Sequence, residues 1–311
     1  MMGTDKNLTS NILMVRPANF GYNEETAVNN AFQQKNIAES PEKIKTNALQ
    51  EFDAMVTILQ QNGIHVTVAE DTDFPVKPDA VFPNNWVSFH DNGVVITYPM
   101  FAPNRRLERR DEILSQLESS FRILNRYSLE FYEEEGIYLE GTGSMVFDRA
   151  NKLVYACLSE RTDATILDKF NVLMGTRSIL FTATDRRGMP IYHTNVVMAM
   201  GHDFVVICMD CVREEEQKQK LLDTFAETGK RVIDITLGQM EHFAGNMLEV
   251  VNKDNKRLLV LSKTAFDSLK EEQKMALSQT THLLPIPIST IEKYGGGSVR
   301  CMMAEVFLPL K

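Results

Sequence analysis

His193-Thr-Asn-Val-Val-Met-Ala-Met200 sets small and polar residues in front of an apolar run, and the same pattern returns four more times in the chain. Pro83-Asn-Asn-Trp-Val-Ser-Phe89, Gly141-Thr-Gly-Ser-Met-Val-Phe-Asp148, Ala244-Gly-Asn-Met-Leu-Glu-Val-Val251 and Gly296-Gly-Ser-Val-Arg-Cys-Met-Met303 are its other copies. Measured between Asn85, Ser144, Asn195, Asn246 and Ser298, the steps are 59, 51, 51 and 52 residues. Degenerate sequence at a nearly constant step is the mark of a structural repeat.

Short runs rich in branched or aromatic residues precede each copy and read as strands. They are Ile64-His-Val-Thr-Val68, Leu129-Glu-Phe-Tyr132, Ile179-Leu-Phe-Thr182, Val232-Ile-Asp-Ile235 and Leu283-Leu-Pro-Ile286. Helix-like stretches lie before these runs. Leu49, Phe52, Val56 and Leu59 form the clearest apolar stripe; Ile113, Leu114, Leu117 and Phe121 form a second, and Leu221, Leu222 and Phe225 a third. Further strands are expected at 204–209 and 258–261. The unit is helix–strand–strand–strand, repeated five times. The fifth copy lacks its last strand, which Ile12-Leu-Met-Val-Arg16 at the other end can supply. This predicts an α/β fold, a five-fold pseudosymmetric propeller closed by pairing of the N- and C-terminal strands, and a single domain over residues 1–311. A doubly wound sheet would not impose the regular step.

The 311-residue chain is 43% hydrophobic and 24% charged, the profile of a soluble globular protein. A formal charge of −9 without a basic stripe argues against nucleic acid or an anionic membrane surface as partner. The start of the chain, through Asn11, is polar and holds no signal-peptide core. No apolar run approaches the ~20 residues that span a bilayer. Four irregularly spaced cysteines make no disulfide framework, so the expected setting is reduced and cytoplasmic.

Chemistry concentrates at the strand entries. Cys301 follows three glycines that let a ligand approach the backbone, and Arg300 beside it would favour the thiolate. A lone cysteine would otherwise read as core. His193 can shuttle protons. Glu140, between an apolar run and a glycine turn, suits a cationic or N–H-rich substrate, because an ionised carboxylate only accepts hydrogen bonds. Repeat symmetry brings these entries, with Asn84 and Asn85, to one end of the ring. Cys208-Met-Asp-Cys211 lacks the second ligand pair of a zinc site. His65, His90, His202, His242 and His282 show no partner pattern. Phosphate-binding and dinucleotide fingerprints are absent.

Phe82-Pro-Asn-Asn85, Leu139-Glu-Gly-Thr-Gly143, His193-Thr-Asn195 and Gly295-Gly-Gly-Ser-Val-Arg-Cys301, in that order, resemble the motifs of the amidinotransferase superfamily of guanidino-group-modifying enzymes, also called penteins. Arginine deiminases, dimethylarginine hydrolases and succinylarginine dihydrolases belong to it, and the branch most similar is that of citrulline-utilisation hydrolases. The resemblance spans nearly the whole chain and implies a five-fold α/β propeller. It also implies that Cys301 is the nucleophile, His193 the general acid/base and Glu140 the carboxylate holding the substrate's terminal nitrogens. Arg105 and Arg161 match arginines for the substrate α-carboxylate, a contact suited to a bidentate guanidinium. Phe82, Asn85 and Asn195 complete the expected substrate-binding set.

Arginine deiminases carry carboxylates where this chain has Asn85 and Asn195. An amide both donates and accepts, so the two asparagines suit a neutral ureido group and leave Glu140 as the one matched carboxylate. Asn246, at the equivalent repeat position, tempers this, since asparagine is also a good turn residue. The implied activity is thiol-dependent hydrolysis at a ureido or guanidino carbon, foremost citrulline to ornithine, ammonia and carbon dioxide. Arginine deiminase, dihydrolase or amidinotransferase activity, and an arginine- or citrulline-binding protein without chemistry, are the alternatives. No cofactor or metal is called for; the partner is a small molecule, and homo-oligomerisation stays open.

Overall fold

The computed structural model describes residues 7–35 and 39–311, so residues 1–6 of the polar start lie outside it. Its strands form five separate three-stranded sheets of one design. In each, a central strand pairs antiparallel with the hairpin strand before it and parallel with the strand that follows a helix. The second sheet shows the pattern: Val94–Thr97 lies between Val87–Phe89 and Asn125–Ser128. Leu153–Cys157, Phe204–Ile207 and Arg257–Ser262 are the central strands of the next three. The remaining sheet joins the two ends of the chain. Asn11–Arg16 pairs antiparallel with Ala304–Glu305 and parallel with His65–Glu70, as the missing-strand argument requires.

A parallel partner needs a crossover, and a helix supplies it in every sheet. The five are Pro41–Gln61, Asp111–Leu117, Ala164–Met174, Glu215–Glu227 and Glu271–Ser278. The first is capped by Ser40, whose side chain accepts from the Lys43 N–H, with Pro41 in the first turn. Its buried line is Ile44, Ala48, Phe52, Met55 and Leu59, so the stripe is rotated from the expected one and Leu49 and Val56 flank it. Small Ala48 and flexible Met55 fit the closest approach, where a leucine and a β-branched valine would crowd. Between helices and sheets lie four apolar clusters that make up the core.

One expected strand is displaced. Leu129-Glu-Phe-Tyr132 is not extended; the strand is Asn125–Ser128, and Glu130–Glu133 is a 3-10 turn. The turn brings Leu129 and Tyr132 inward at a spacing of three, which an alternating strand could not do. None of the described helices is long and apolar enough to cross a membrane.

The five repeated segments form tight turns at the entry to the hairpins, and the turns touch one another in cyclic order. Thr142 Oγ1 donates to Asn84 O (3.2 Å), and Thr194 Oγ1 donates to Ser144 O (2.6 Å). Asn246 Nδ2 donates to Asn195 O (2.9 Å), and the Arg300 N–H donates to Asn246 Oδ1 (3.0 Å). Gly295 and Gly297 lie against the Phe82 ring, returning to the first turn. Cys301 therefore stands in a turn ahead of Ala304–Glu305, not on the final strand.

Candidate active site

The turn contacts bring Cys301, His193, Glu140, Asn85, Asn195, Phe82, Arg105 and Arg161 into one buried cluster. Gly141 and Gly143 make the second turn possible. Gly141 has φ +46°, and a Cβ there would stand 2.4 Å from Asn84 O. A Cβ on Gly143 would stand 2.4 Å from Asn85 Nδ2 and 2.7 Å from His193 Nδ1. Only glycine lets three repeats converge this closely.

Glu140 is fully buried. Its Oε1 accepts from the Phe101 N–H (2.9 Å), and its Oε2 lies 2.8 Å from His193 Nε2, 3.6 Å from Arg161 and 3.9 Å from Arg105. Burial works against its charge, yet Arg161, His193 and Arg105 outweigh it and hold the carboxyl at about 2. An ionised Glu140 can only accept, so Nε2 of His193 carries the proton and Nδ1 is the basic nitrogen. Burial lowers His193 to about 4 against the pull of Glu140, so the ring is neutral at physiological pH.

Cys301 Sγ receives two amide donors, Asn246 Nδ2 at 3.3 Å and Asn195 Nδ2 at 3.5 Å. The expected cationic neighbour is turned away: Arg300 donates to Met303 O (2.9 Å) and to Glu305 (2.8 Å). A full ion pair nearby attracts a guanidinium more than a thiol does. Asn246, set aside in sequence because it reads as a turn former, is thus part of the cluster.

Arg105 is buried, not a solvated helix-start residue. It makes a double contact to Glu108 (2.9 Å each) and donates to Asn85 Oδ1 (2.9 Å) and Phe82 O (3.3 Å). Burial opposes its charge, but Glu108 and Asp79 prevail and raise its pKa. Arg161 lies 4.9 Å from the Tyr192 ring centre and donates to Thr26 O (2.9 Å) and to Asn29. Asp79, absent from the sequence-derived set, adds a second carboxylate. Its Oδ2 accepts from Asn23 (2.7 Å) and Thr26 (3.1 Å), and burial raises its pKa. Spacing gave no hint of it, because it precedes the first motif in a loop.

Asp79, Asn85, Arg105, Arg161, His193 and Cys301 line a cavity of about 20 Å³, room for about one water. Residues 23–34 roof it through Asn23, Thr26, Asn29 and Asn30, the last donating to Gly295 O (3.4 Å). Buried polar atoms normally find partners, but Asp79 Oδ1, Asn85 Nδ2 and Asn195 Oδ1 have none among the described residues. One acceptor carboxylate oxygen, one amide donor and one amide acceptor remain for a ligand. The CxxC cysteines Cys208 and Cys211 lie elsewhere, buried in the core.

Solved structures share this architecture. ArgZ, an arginine dihydrolase from the ornithine–ammonia cycle in cyanobacteria, matches with a TM-score of 0.75 and 16% identity, over 97% of this chain and 41% of its own. AgrE, solved with ornithine and NAD+, gives 0.75 and 17%, over 97% and 40%. A dimethylarginine dimethylaminohydrolase variant bearing an S-methyl-L-thiocitrulline adduct gives 0.66 and 14%, over 96% and 99%. At these identities the likeness shows the fold, and the chain spans about two fifths of ArgZ and AgrE. No curated protein matches in sequence. The model of the family described as N,N dimethylarginine dimethylhydrolase, eukaryotic, matches residues 16–308, and the chain belongs to that family of pentein hydrolases.

Proposed function

We propose that the protein is a thiol-dependent hydrolase attacking the ureido carbon of citrulline, built as one closed five-fold propeller domain over residues 1–311. One observation carries this: His193, held from behind by Glu140, lines one cavity with Cys301 and the neutral amide of Asn85, and the amide of Asn195 donates to the Cys301 sulfur. Neutral His193 takes the Cys301 proton, and the imidazolium formed is held by Glu140. The thiolate attacks the planar carbon, and the C–N bond to the terminal nitrogen breaks as His193 returns its proton, releasing ammonia. Water, deprotonated by His193, then displaces the sulfur. The resulting carbamate loses carbon dioxide and leaves ornithine.

Unpartnered Asn85 Nδ2 is a donor suited to the ureido oxygen, and Asn195 Oδ1 an acceptor suited to its N–H groups. Arg105 and Arg161 offer guanidinium edges for the α-carboxylate once the substrate replaces their present partners. Asp79 Oδ1 can take a cationic nitrogen. No resident cofactor enters this scheme, and four unpaired cysteines suit a reducing, cytoplasmic setting.

A second reading, an arginine dihydrolase passing through citrulline, is favoured by Asp79. Asp79 lines the cavity and Glu140 lies behind His193, so a guanidinium would meet one carboxylate directly and the field of a second before the amides receive the urea. Mass-spectrometric product analysis with arginine, citrulline and N,N-dimethylarginine, each beside a Cys301→Ala control, separates the readings. Ornithine from citrulline alone supports the first, and ornithine from both citrulline and arginine supports the second. Citrulline accumulating from arginine or dimethylarginine, with citrulline itself inert, overturns both.

A further inference from the structure

A second cavity, about 330 Å³, opens at the opposite end of the sheets from Cys301. It lies where the second and third hairpins turn, at residues 90–93 and 149–152, whereas the catalytic turns precede the same hairpins at 83–85 and 141–144. Its floor is apolar, with Phe147, Phe170, Met174 and Phe307. Two cations face this floor, Arg149 and Lys152.

Arg149 is held in place but not neutralised. Its guanidinium carbon lies 4.6 Å from the Phe147 ring centre and 4.0 Å from that of Phe307, stacking that fixes the plane of the group. Nη1 lies 3.4 Å from Nδ1 of buried His90. An arginine only donates, so His90 Nδ1 accepts, Nε2 carries the proton, and Nε2 donates to Ser88 Oγ at 2.8 Å. Burial, with Arg149 adding to it, keeps His90 neutral, well below its ordinary value. The carboxylates in reach do not answer the charge. Glu305 is taken by Arg300 at 2.8 Å, and Asp91 makes no ion pair with Arg149 among the described residues. Burial accordingly lowers the Arg149 pKa, the reverse of Arg105 at the catalytic end.

A partly buried guanidinium, oriented by two rings and a neutral imidazole, presents its remaining N–H edge to a cavity of small-molecule size. The planar fork of donors matches a two-oxygen acceptor. We propose that this cavity is a second ligand site, binding a small oxyanion, carboxylate or phosphate, carried on an apolar body. Arg149 grips the oxyanion, Lys152 adds charge at the rim, and Phe147, Phe170 and Met174 receive the body. The site is independent of the catalytic cavity, so its existence does not rest on the reaction assigned there.

The test is isothermal titration of the full chain with phenyl phosphate, phenylacetate and neutral 2-phenylethanol, with ornithine at saturating concentration to occupy the catalytic end. Saturable binding of at least one anion is expected, with the alcohol at least tenfold weaker. Whichever anion binds tighter identifies the phosphate or carboxylate source. Arg149→Gln is expected to weaken binding at least tenfold while leaving turnover and circular dichroism unchanged. Lys152→Glu, which leaves Arg149 and its rings untouched, should weaken binding at least threefold and so serves if Arg149→Gln folds poorly. Binding abolished by ornithine, equal binding by the variants, or no saturable binding of either anion overturns the proposal.

Discussion

The second and fourth turns hold equivalent places in the repeat, and both reach the buried cluster around His193 and Cys301, but by different chemistry. The second sends Glu140, a buried ion tied to His193 at 2.8 Å; its Gly141 clears space for backbone of the first turn, and its Gly143 for side chains of two other repeats. The fourth sends Asn246, a neutral amide 3.3 Å from Cys301 Sγ, and its Gly245 clears space for backbone. One scaffold position thus sets the state of the base and another sets the surroundings of the thiol. Repetition delivers side chains to a common point, and the individual residue decides what arrives.

Substitutions sharpen this contrast. Glu140→Gln removes the negative charge that fixes the His193 tautomer and steadies its imidazolium, and turnover should fall ~10²–10³-fold in steady-state kinetics with the fold intact by circular dichroism. Gly143→Ala pushes on Asn85 and His193, so turnover should fall about 10²-fold through misplacement of those groups. Gly245→Ala provides the counterpart. Its Cβ would meet Val196 O at 2.2 Å, backbone that cannot rotate away, so the loss should appear as about 1–3 kcal/mol of stability in denaturant unfolding. A stability loss in Gly143→Ala matching that of Gly245→Ala would erase the distinction between the two turns.

Asn246→Ala removes one of two donors to Cys301, and turnover should drop only about threefold to tenfold, the worth of a single hydrogen bond. Acid sensitivity is the most diffuse effect. His193 titrates at about 4 in the folded chain and near 6.5 when unfolded, and His90 is also lowered. At His193 the unfolded chain therefore binds more protons between these values, so this residue's contribution to stability is complete above pH 6.5 and declines as pH falls toward 4, while buried Glu108, raised to about 7, works in the opposite direction. The melting temperature should follow that course, and His193→Asn should flatten it.

The repeat was legible because five segments share small residues before an apolar run at a near-constant step. The end-to-end pairing of Asn11–Arg16 with Ala304–Glu305 followed from counting strands. Glu140 stood out because a carboxylate between an apolar run and a glycine turn has no packing reason to be there. Asn246 did not stand out, since asparagine fills turns for local reasons and its contact with sulfur depends on where two repeats meet. Asp79 was hidden likewise, lying in a loop whose course no periodicity predicts. Arg300 misled because sequence adjacency to Cys301 says nothing about direction, and Glu305 claims it. The 125–128 strand was missed because its four side chains all face solvent and leave no apolar signature.

Residues 23–34 already satisfy the groups that a substrate would need. Arg161 is occupied by Thr26 O and Asn29, and Asp79 Oδ2 by Asn23 and Thr26, so binding at these atoms is an exchange of partners, whereas Asp79 Oδ1 has no partner among the described residues. Each polar contact the substrate makes there replaces one the chain gives up, and the net gain per contact is small. Measured affinity is then the intrinsic affinity reduced by the fraction of molecules in which that segment has let go.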